Sequence, residues 1–249
     1  MISKTKIKLI SSLSQKKFRD QTGLFVAEGS KLVLDLAPFF RCSILVATID
    51  WLNLHKFKAD DIIELKAEEF NKISNHKTPQ GVLAVFEKPE YHWDKQELSH
   101  KLSLALDDVQ DPGNLGTIIR IADWFGITDI FCSEHSADAF NPKTVQASMG
   151  ALARVNVHVV NLIEFLQKCQ SELPIYGTLM NGENIYCKTL TQHGIIVMGN
   201  EGNGISSDVE NFITERLLIP NFPFGQATSE SLNVAVATAL VCGEFRRRS

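Results

Sequence analysis

From residue 102 onward the chain repeats one pattern: a short apolar run, then a polar or Gly-rich turn, and after most of these a stretch with helical spacing. The runs are LSLALDD (102–108), DIFCSE (129–134), VNVHVV (155–160), IYGTLM (175–180), GIIVMG (194–199) and RLLIP (216–220). Most lack the polar alternate positions of a strand with one wet face, so they predict strands buried on both sides. That is the signature of an open parallel sheet with helices on both faces. Ligands of such sheets bind at the C-terminal ends of the strands. The loops that follow LSLALDD, GIIVMG and RLLIP therefore become the places to search for chemistry.

The first part of the chain is a smaller α/β unit. Apolar positions at Ile7, Ile10 and Leu13, with lysines between them, predict a basic surface helix over 3–19. LFVAEG, SILVAT, IIEL and GVLAVFE read as strands, with helices near 30–39, 50–56 and 66–74. The polar stretch EKPEYHWDKQELSHK lacks sustained periodicity and contains Pro89, which makes it a linker. The division expected is 1–88, a linker at 89–101, and 102–249.

Composition excludes several classes. The 249 residues are 44% hydrophobic and 22% charged, which is that of a globular protein with ample core. No window approaches a membrane span, and the N-terminus lacks the pattern of a signal peptide, so a cytoplasmic location is expected. Five cysteines are scattered without a C-x-x-C pair, which argues against disulfides and zinc and predicts buried thiols. The histidines, among them His135, His158 and His193, form no ligand cluster, and no metal is expected. Net charge is −4, yet residues 1–31 hold seven basic side chains against Asp20 and Glu28, a local +5. Lys4, Lys6, Lys8, Lys16, Lys17 and Arg19 are the candidate phosphate contacts. Arg246 to Arg248 form a second basic cluster.

Three loops carry the candidate chemistry. In QDPGNLGTIIRIADW, turn residues lead into a helix from about Leu115, with Asn114 just before it and Arg120 six residues on, both expected to face roughly one way. Ser207 and Glu210 have the spacing of a capping box for a helix over 207–215. GNEGNGIS has neither G-x-G-x-x-G nor a Lys-Ser/Thr pair, so it is not a nucleotide-phosphate loop. Its glycines do permit close approach of backbone to a flat ligand. The last helix is expected to open on Ser229, Glu230, Ser231 and Asn233, with polar groups at its unpaired N–H groups. Alone, each stretch reads first as an ordinary turn or cap.

Together they resemble the three motifs of the SpoU (TrmH) family of RNA ribose methyltransferases, of the SPOUT superfamily. The matching residues are Asn114, Gly116 and Arg120; Gly199, Glu201 and Gly204; and Ile219, Pro220, Ser231, Leu232 and Asn233. The resemblance implies S-adenosylmethionine as cofactor, held around Gly199, Asn200, Gly204, Ile219, Pro220 and Leu232, with Thr178 to Met180 as a further wall. It implies catalytic roles for Asn114, Arg120, Glu201, Ser231 and Asn233. It further implies a C-terminal trefoil knot, a homodimer with a shared site, and an L30e-like RNA-binding domain at the N-terminus, for which FVAEG and TPQGVLAVF are the matching phrases. Ribosomal RNA is favoured over transfer RNA as substrate, because the L30e-like domain resembles that of ribosomal RNA enzymes. An inactive RNA binder of the same fold and a nucleotide-dependent small-molecule enzyme are the alternatives. Arg120 as a general base would need a guanidinium deprotonated, at a pKa of about 12.5 or more; as a charged clamp on phosphate or alkoxide it needs none, which favours the clamp. The third motif is lengthened by NFPFGQATS at 221–229.

Overall fold

The structure is a computed structural model that describes residues 2–223 and 231–247. Ser229, Glu230, Arg248 and most of the 221–229 insertion lie outside the described residues. The chain forms two compact units, residues up to Glu90 together with Asp138–Ala153, and Tyr91–Ala137 together with Arg154 onward.

The first unit starts with two helices rather than one, α1 (Lys4–Ser12) and α2 (Lys16–Thr22). Gln15 between them is extended, at φ −101° and ψ 133°. Ser12 and Ser14 turn their hydroxyls back onto the carbonyls of Leu9 and Ser11, a local bond that competes with helix continuation. Then follow β1 (Leu24–Glu28), α3 (Ser30–Leu36), β2 (Cys42–Thr48), α4 (Ile49–Leu54), β3 (Asp61–Leu65), α5 (Ala67–Phe70) and β4 (Val82–Glu87). The sheet order is β1-β4-β2-β3, with β4 antiparallel to both neighbours and β2 parallel to β3. Successive residues point to opposite faces. Val26, Val46 and Val85 accordingly join Ile10 of α1 and Leu13 at its C-cap on one side. On the other, Phe25 meets Phe40 at 5.3 Å, Phe86 at 5.6 Å and Phe140 at 4.9 Å between ring centres. Phe140 belongs to Asp138–Ala153, which lies beyond the linker in sequence but packs here.

The second unit opens within the polar stretch: α6 (Lys95–Leu98) is a single turn capped by Asp94, and Leu98 is buried. After it come β5 (Leu102–Leu106), α7 (Pro112–Trp124) and β6 (Asp129–Cys132); α8 (Pro142–Ser148) belongs to the first unit. The second unit continues with β7 (Asn156–Val159), α9 (Leu162–Cys169), β8 (Ile175–Asn184), β9 (Gly194–Met198), α10 (Ser207–Glu210), β10 (Glu215–Leu218) and α11 (Val234–Arg247). The six strands run in the order β10-β8-β9-β5-β6-β7 and every pairing is parallel. One face packs Phe131 and Phe165 with ring centres 4.0 Å apart, beside Ile195 and Val197. Toward α11, Tyr176 meets Phe245 at 4.8 Å. The order reverses between β5 and β9, so the crevice of this sheet opens at their C-terminal ends.

Two helix starts differ from expectation. The helix expected over 207–215 ends at Glu210, and its cap is Ser206: the Glu210 N–H donates to the Ser206 carbonyl, and no Ser207–Glu210 capping box forms. The Ser206 N–H is held by Asp107 Oδ2 at 2.7 Å, which fixes where the chain enters that turn. The last helix opens at Val234, because Asn233 Oδ1 accepts from the N–H groups of Ala235 and Val236. Ser231 therefore precedes the cap instead of lying in the first turn.

Candidate active site

At the switch point, the Asp107 N–H donates to the Met198 carbonyl at 2.9 Å, which knits the ends of β5 and β9 together. Asp111 caps α7 by accepting from the Asn114 N–H at 2.8 Å, and Pro112 takes the first helical position. Asn114 thus lies inside the first turn, not ahead of it, and its side chain projects from a fixed backbone.

Asn114 joins the second and third loops. Its Nδ2 donates to Glu201 Oε1 at 2.9 Å, and its Oδ1 accepts from Asn233 Nδ2 at 2.9 Å. The amide orientations follow from chemistry: a carboxylate only accepts, so Asn114 must turn nitrogen toward Glu201 and oxygen toward Asn233. Asn233 then has only its oxygen left for the cap of α11, which is where that oxygen goes. A directional chain Asn233→Asn114→Glu201 joins residues 119 and 87 positions apart. The Glu201 turn is itself held by Asn200. Its Oδ1 accepts from the N–H groups of Gly202 and Asn203, and its Nδ2 donates to the Asp108 carbonyl at 2.8 Å.

Gly199, Asn200 and Gly204 follow β9, Ile219 and Pro220 follow β10, and Thr178 and Met180 lie within β8, between those two strands in the sheet. Gly199 permits no side chain: a Cβ there would lie 2.2 Å from the Gly204 carbonyl carbon. Asn200 and Gly204 exchange both backbone hydrogen bonds, at 2.9 and 3.0 Å, with Gly204 left-handed at φ +71°. Thr178 Oγ1 reaches Met198 Sδ at 3.9 Å, and the Met180 side chain is 82% exposed. Pro220 is buried and Ile219 half-buried, while Leu232 is exposed.

Arg120 and Ser231 take no part in this chain of hydrogen bonds. Arg120 is exposed on α7 and makes no hydrogen bond or ion pair among the described residues. Six helical residues turn through about 600°, well short of two full turns, so Arg120 and Asn114 do not share a face as expected. Ser231 is exposed, and its hydroxyl makes no hydrogen bond among the described residues.

The basic candidates divide. Lys4, Lys8, Lys16 and Lys17 are exposed, and Lys6 pairs with Asp61. Arg19 is not a surface cation: it is 1% exposed, its guanidinium bonds Asp138 at 2.6 and 2.8 Å and donates to the Leu13 carbonyl at 2.7 Å. Among the second cluster, Arg246 donates to the Phe125 carbonyl and Arg247 pairs with Glu244. Burial pushes the thiols of Cys42, Cys132 and Cys242 up to about 12, which makes them inert. Cys187 differs from the buried thiols expected, being exposed. His158 is committed to Asp129 at 3.0 Å. No helix among the described residues is long and apolar enough to cross a membrane, and none of their acidic, His and Cys side chains group to hold a metal ion.

Sequence reasoning passed over Asp107, Asp108 and Gln110. Two adjacent acids at the end of a largely apolar strand are the available signal.

Residues 101–243 match the SpoU rRNA Methylase family, and residues 4–84 match the MRM3-like substrate binding domain. The 23S rRNA (guanosine(2553)-2′-O)-methyltransferase of Bacillus subtilis is 33% identical over 245 residues, covering 97% of this chain and 96% of that protein. A putative RNA methyltransferase of the TrmH family from Porphyromonas gingivalis superposes with a TM-score of 0.91 at 43% identity, covering 100% of both chains. The AdoMet-bound rRNA methyltransferase of Sinorhizobium meliloti superposes at 0.85 with 28% identity, covering 100% of this chain and 97% of that one. With three motif loops converging on one strand-end crevice and a family match over most of the second unit, this chain is a member of the SpoU rRNA methylase family.

Proposed function

We propose that this protein transfers a methyl group from S-adenosylmethionine to a ribose 2′-hydroxyl of ribosomal RNA, in the cytoplasm and as a homodimer. The observation that carries the reading is the Asn233→Asn114→Glu201 chain at the β5/β9 switch point. The similarity to ribosomal RNA methyltransferases supports the substrate class.

When bound, the cofactor supplies an electrophilic methyl on a sulfonium centre. The protein has then to align the hydroxyl behind that methyl and to offset the negative charge that develops on its oxygen. Glu201 and Asn114 are held by one another and by the Asn200 turn, so they present fixed groups at no cost of reordering. Gly199, Asn200, Gly204, Ile219, Pro220 and Leu232 would hold the cofactor, with Thr178 and Met180 as a wall. No resident metal is required by a displacement of this kind.

Arg120 has its charge free for RNA phosphate or the developing alkoxide. It lies on the outer side of α7 with Trp124, which is 83% exposed, and α11 beside it exposes Val236 and Leu240. An apolar surface of this kind next to an uncommitted arginine supports a dimer in which Arg120 completes the partner's site. The match to the SpoU family supports a C-terminal trefoil knot. The exposed Lys4, Lys8, Lys16 and Lys17 supply the phosphate contacts of an L30e-like domain over 1–88, joined through 89–101 to the catalytic domain at 102–249.

Incubation with S-adenosylmethionine and unmodified ribosomal or transfer RNA, followed by mass spectrometry of the nucleosides, tests the reading. A 2′-O-methylnucleoside in ribosomal RNA that requires Arg120 is expected. Base methylation, or methylation of transfer RNA alone, contradicts it. Light scattering that finds an active monomer contradicts the shared site.

A further inference from the structure

Asp108, at the end of β5, carries two unfavourable features. Its φ is +61°, in the left-handed region that non-glycine residues rarely adopt. Its Oδ1 is buried with no hydrogen-bond partner among the described residues. Glycine would remove both. Glycine would also keep both backbone ties of this position, the N–H to Ser133 Oγ at 2.9 Å and the carbonyl from Asn200 Nδ2 at 2.8 Å. What glycine cannot supply is Oδ2, which accepts from Gln110 Nε2 at 3.0 Å. Unfavourable geometry of this sort persists where function requires it.

The bond settles how Gln110 is presented. Because a carboxylate only accepts, the Gln110 amide must turn its nitrogen toward Asp108. One N–H is spent there; the other N–H and Oε1 remain on an exposed side chain. Gln110 directly precedes Asp111, the cap of α7, and stands four residues before Asn114. Both ends of the Asp108–Asn114 loop are tied to the Asn200–Glu201 turn. A glutamine amide of fixed orientation offers neighbouring donor and acceptor groups, the arrangement that reads a base edge bidentately. Bases splayed out of single-stranded RNA expose such edges.

We infer that Gln110, oriented by Asp108, contacts the base edge of the nucleotide that is methylated, and that the pair sets which base is accepted. The inference rests on the ribose methyltransferase reading above. Asp108 is a positioning residue here, and Gln110 is the group that touches substrate.

The test uses the full-length protein and a ribosomal RNA transcript whose methylated position has been mapped, with three further transcripts that differ only in that base. Wild type should prefer its own base by about tenfold or more in kcat/KM. Gln110→Ala and Asp108→Gly should both narrow that preference to about threefold or less and raise the KM for RNA. Cofactor affinity by calorimetry should not change. Asp108→Gly retains the backbone conformation, and Gln110 is exposed, so both variants should melt with wild type. Asp108→Gly with wild-type discrimination would overturn the inference, as would Gln110→Ala with an unaltered preference or equal use of all four transcripts by wild type. Methylation of RNA by wild type with unaltered variants defeats this inference alone; no transfer to any RNA defeats the methyltransferase reading with it.

Discussion

Asn114 donates to Glu201 across 2.9 Å, and the same side chain accepts from Asn233 at 2.9 Å, so one amide holds two other motifs in register. Only one of the two contacts survives if the amide becomes a carboxylate. Asn114→Asp would set two acceptors against each other at Glu201 while still accepting from Asn233. Loss of about 100-fold or more in kcat is expected, at the scale of removing one preorganised donor from an active site. Cofactor binding should fall much less. Single-turnover kinetics beside calorimetry separates the two, and near-normal turnover would remove Asn114 from the catalytic machinery.

Gly199 and Gly204 differ in what they require. A Cβ at Gly199 would overlap the Gly204 backbone, so Gly199→Ala must push the turn apart. At Gly204 a Cβ meets nothing within 4 Å, and Gly204→Ala bears only the strain of φ +71°, about 1–2 kcal/mol. Calorimetry should find cofactor affinity reduced about tenfold or more by Gly199→Ala and much less by Gly204→Ala. Equal losses would mean that backbone strain, rather than close approach, governs the loop.

The Arg19–Asp138 pair is buried, and removing one member strands the other. Asp138→Ala should destabilise by about 3–5 kcal/mol in urea unfolding. Arg41→Ala, at a pair exposed to solvent, should change stability by less than about 1 kcal/mol. An Asp138→Ala variant as stable as Arg41→Ala would show that Arg19 finds water or another acceptor.

Asp129 is the acid-sensitive group. Burial would raise its carboxyl, but bonds from His158, Lys101 and Thr128 outweigh burial and hold it well below the usual carboxylate range. A depressed folded-state pKa gives stability above the unfolded value of about 3.9 and loses it as pH falls toward the folded value. Asp129→Asn, which mimics the protonated acid, should therefore cost stability at pH 7 and progressively less below about pH 4. Urea unfolding of both proteins from pH 7 to 2 checks this; a gap that stays constant with pH would assign the cost to packing.

Much of the second unit could be read from the chain because its signals are local. Six apolar runs and the turns after them specify buried parallel strands, and the crevice follows from where strands end. Asn114, Glu201 and Asn233 were legible as a set only through resemblance, yet the chain of bonds among them follows from ordinary amide chemistry once they meet. Other features depended on partners far away in sequence. Arg19 looks like one more cation in a basic helix until Asp138 covers it. The sequence places no mark on the Asp138–Ala153 segment, yet the Arg19–Asp138 pair and the packing of Phe140 on Phe25 tie it to the first unit. Helix ends shifted where a single side chain decided them, as with Asp107 at the Ser206 N–H, Asn233, Ser12 and Ser14.

The most direct test of the central claim is transfer of labelled methyl from S-adenosylmethionine to unmodified ribosomal RNA, read after alkaline hydrolysis, with wild type beside Asn114→Asp. A 2′-O-methyl group blocks cleavage of the following phosphodiester. Label in an alkali-resistant dinucleotide for wild type, and none above background for the variant, is the predicted result. Label released as mononucleotide, or retained in full by Asn114→Asp, would contradict a ribose methyltransferase built on the Asn233→Asn114→Glu201 chain.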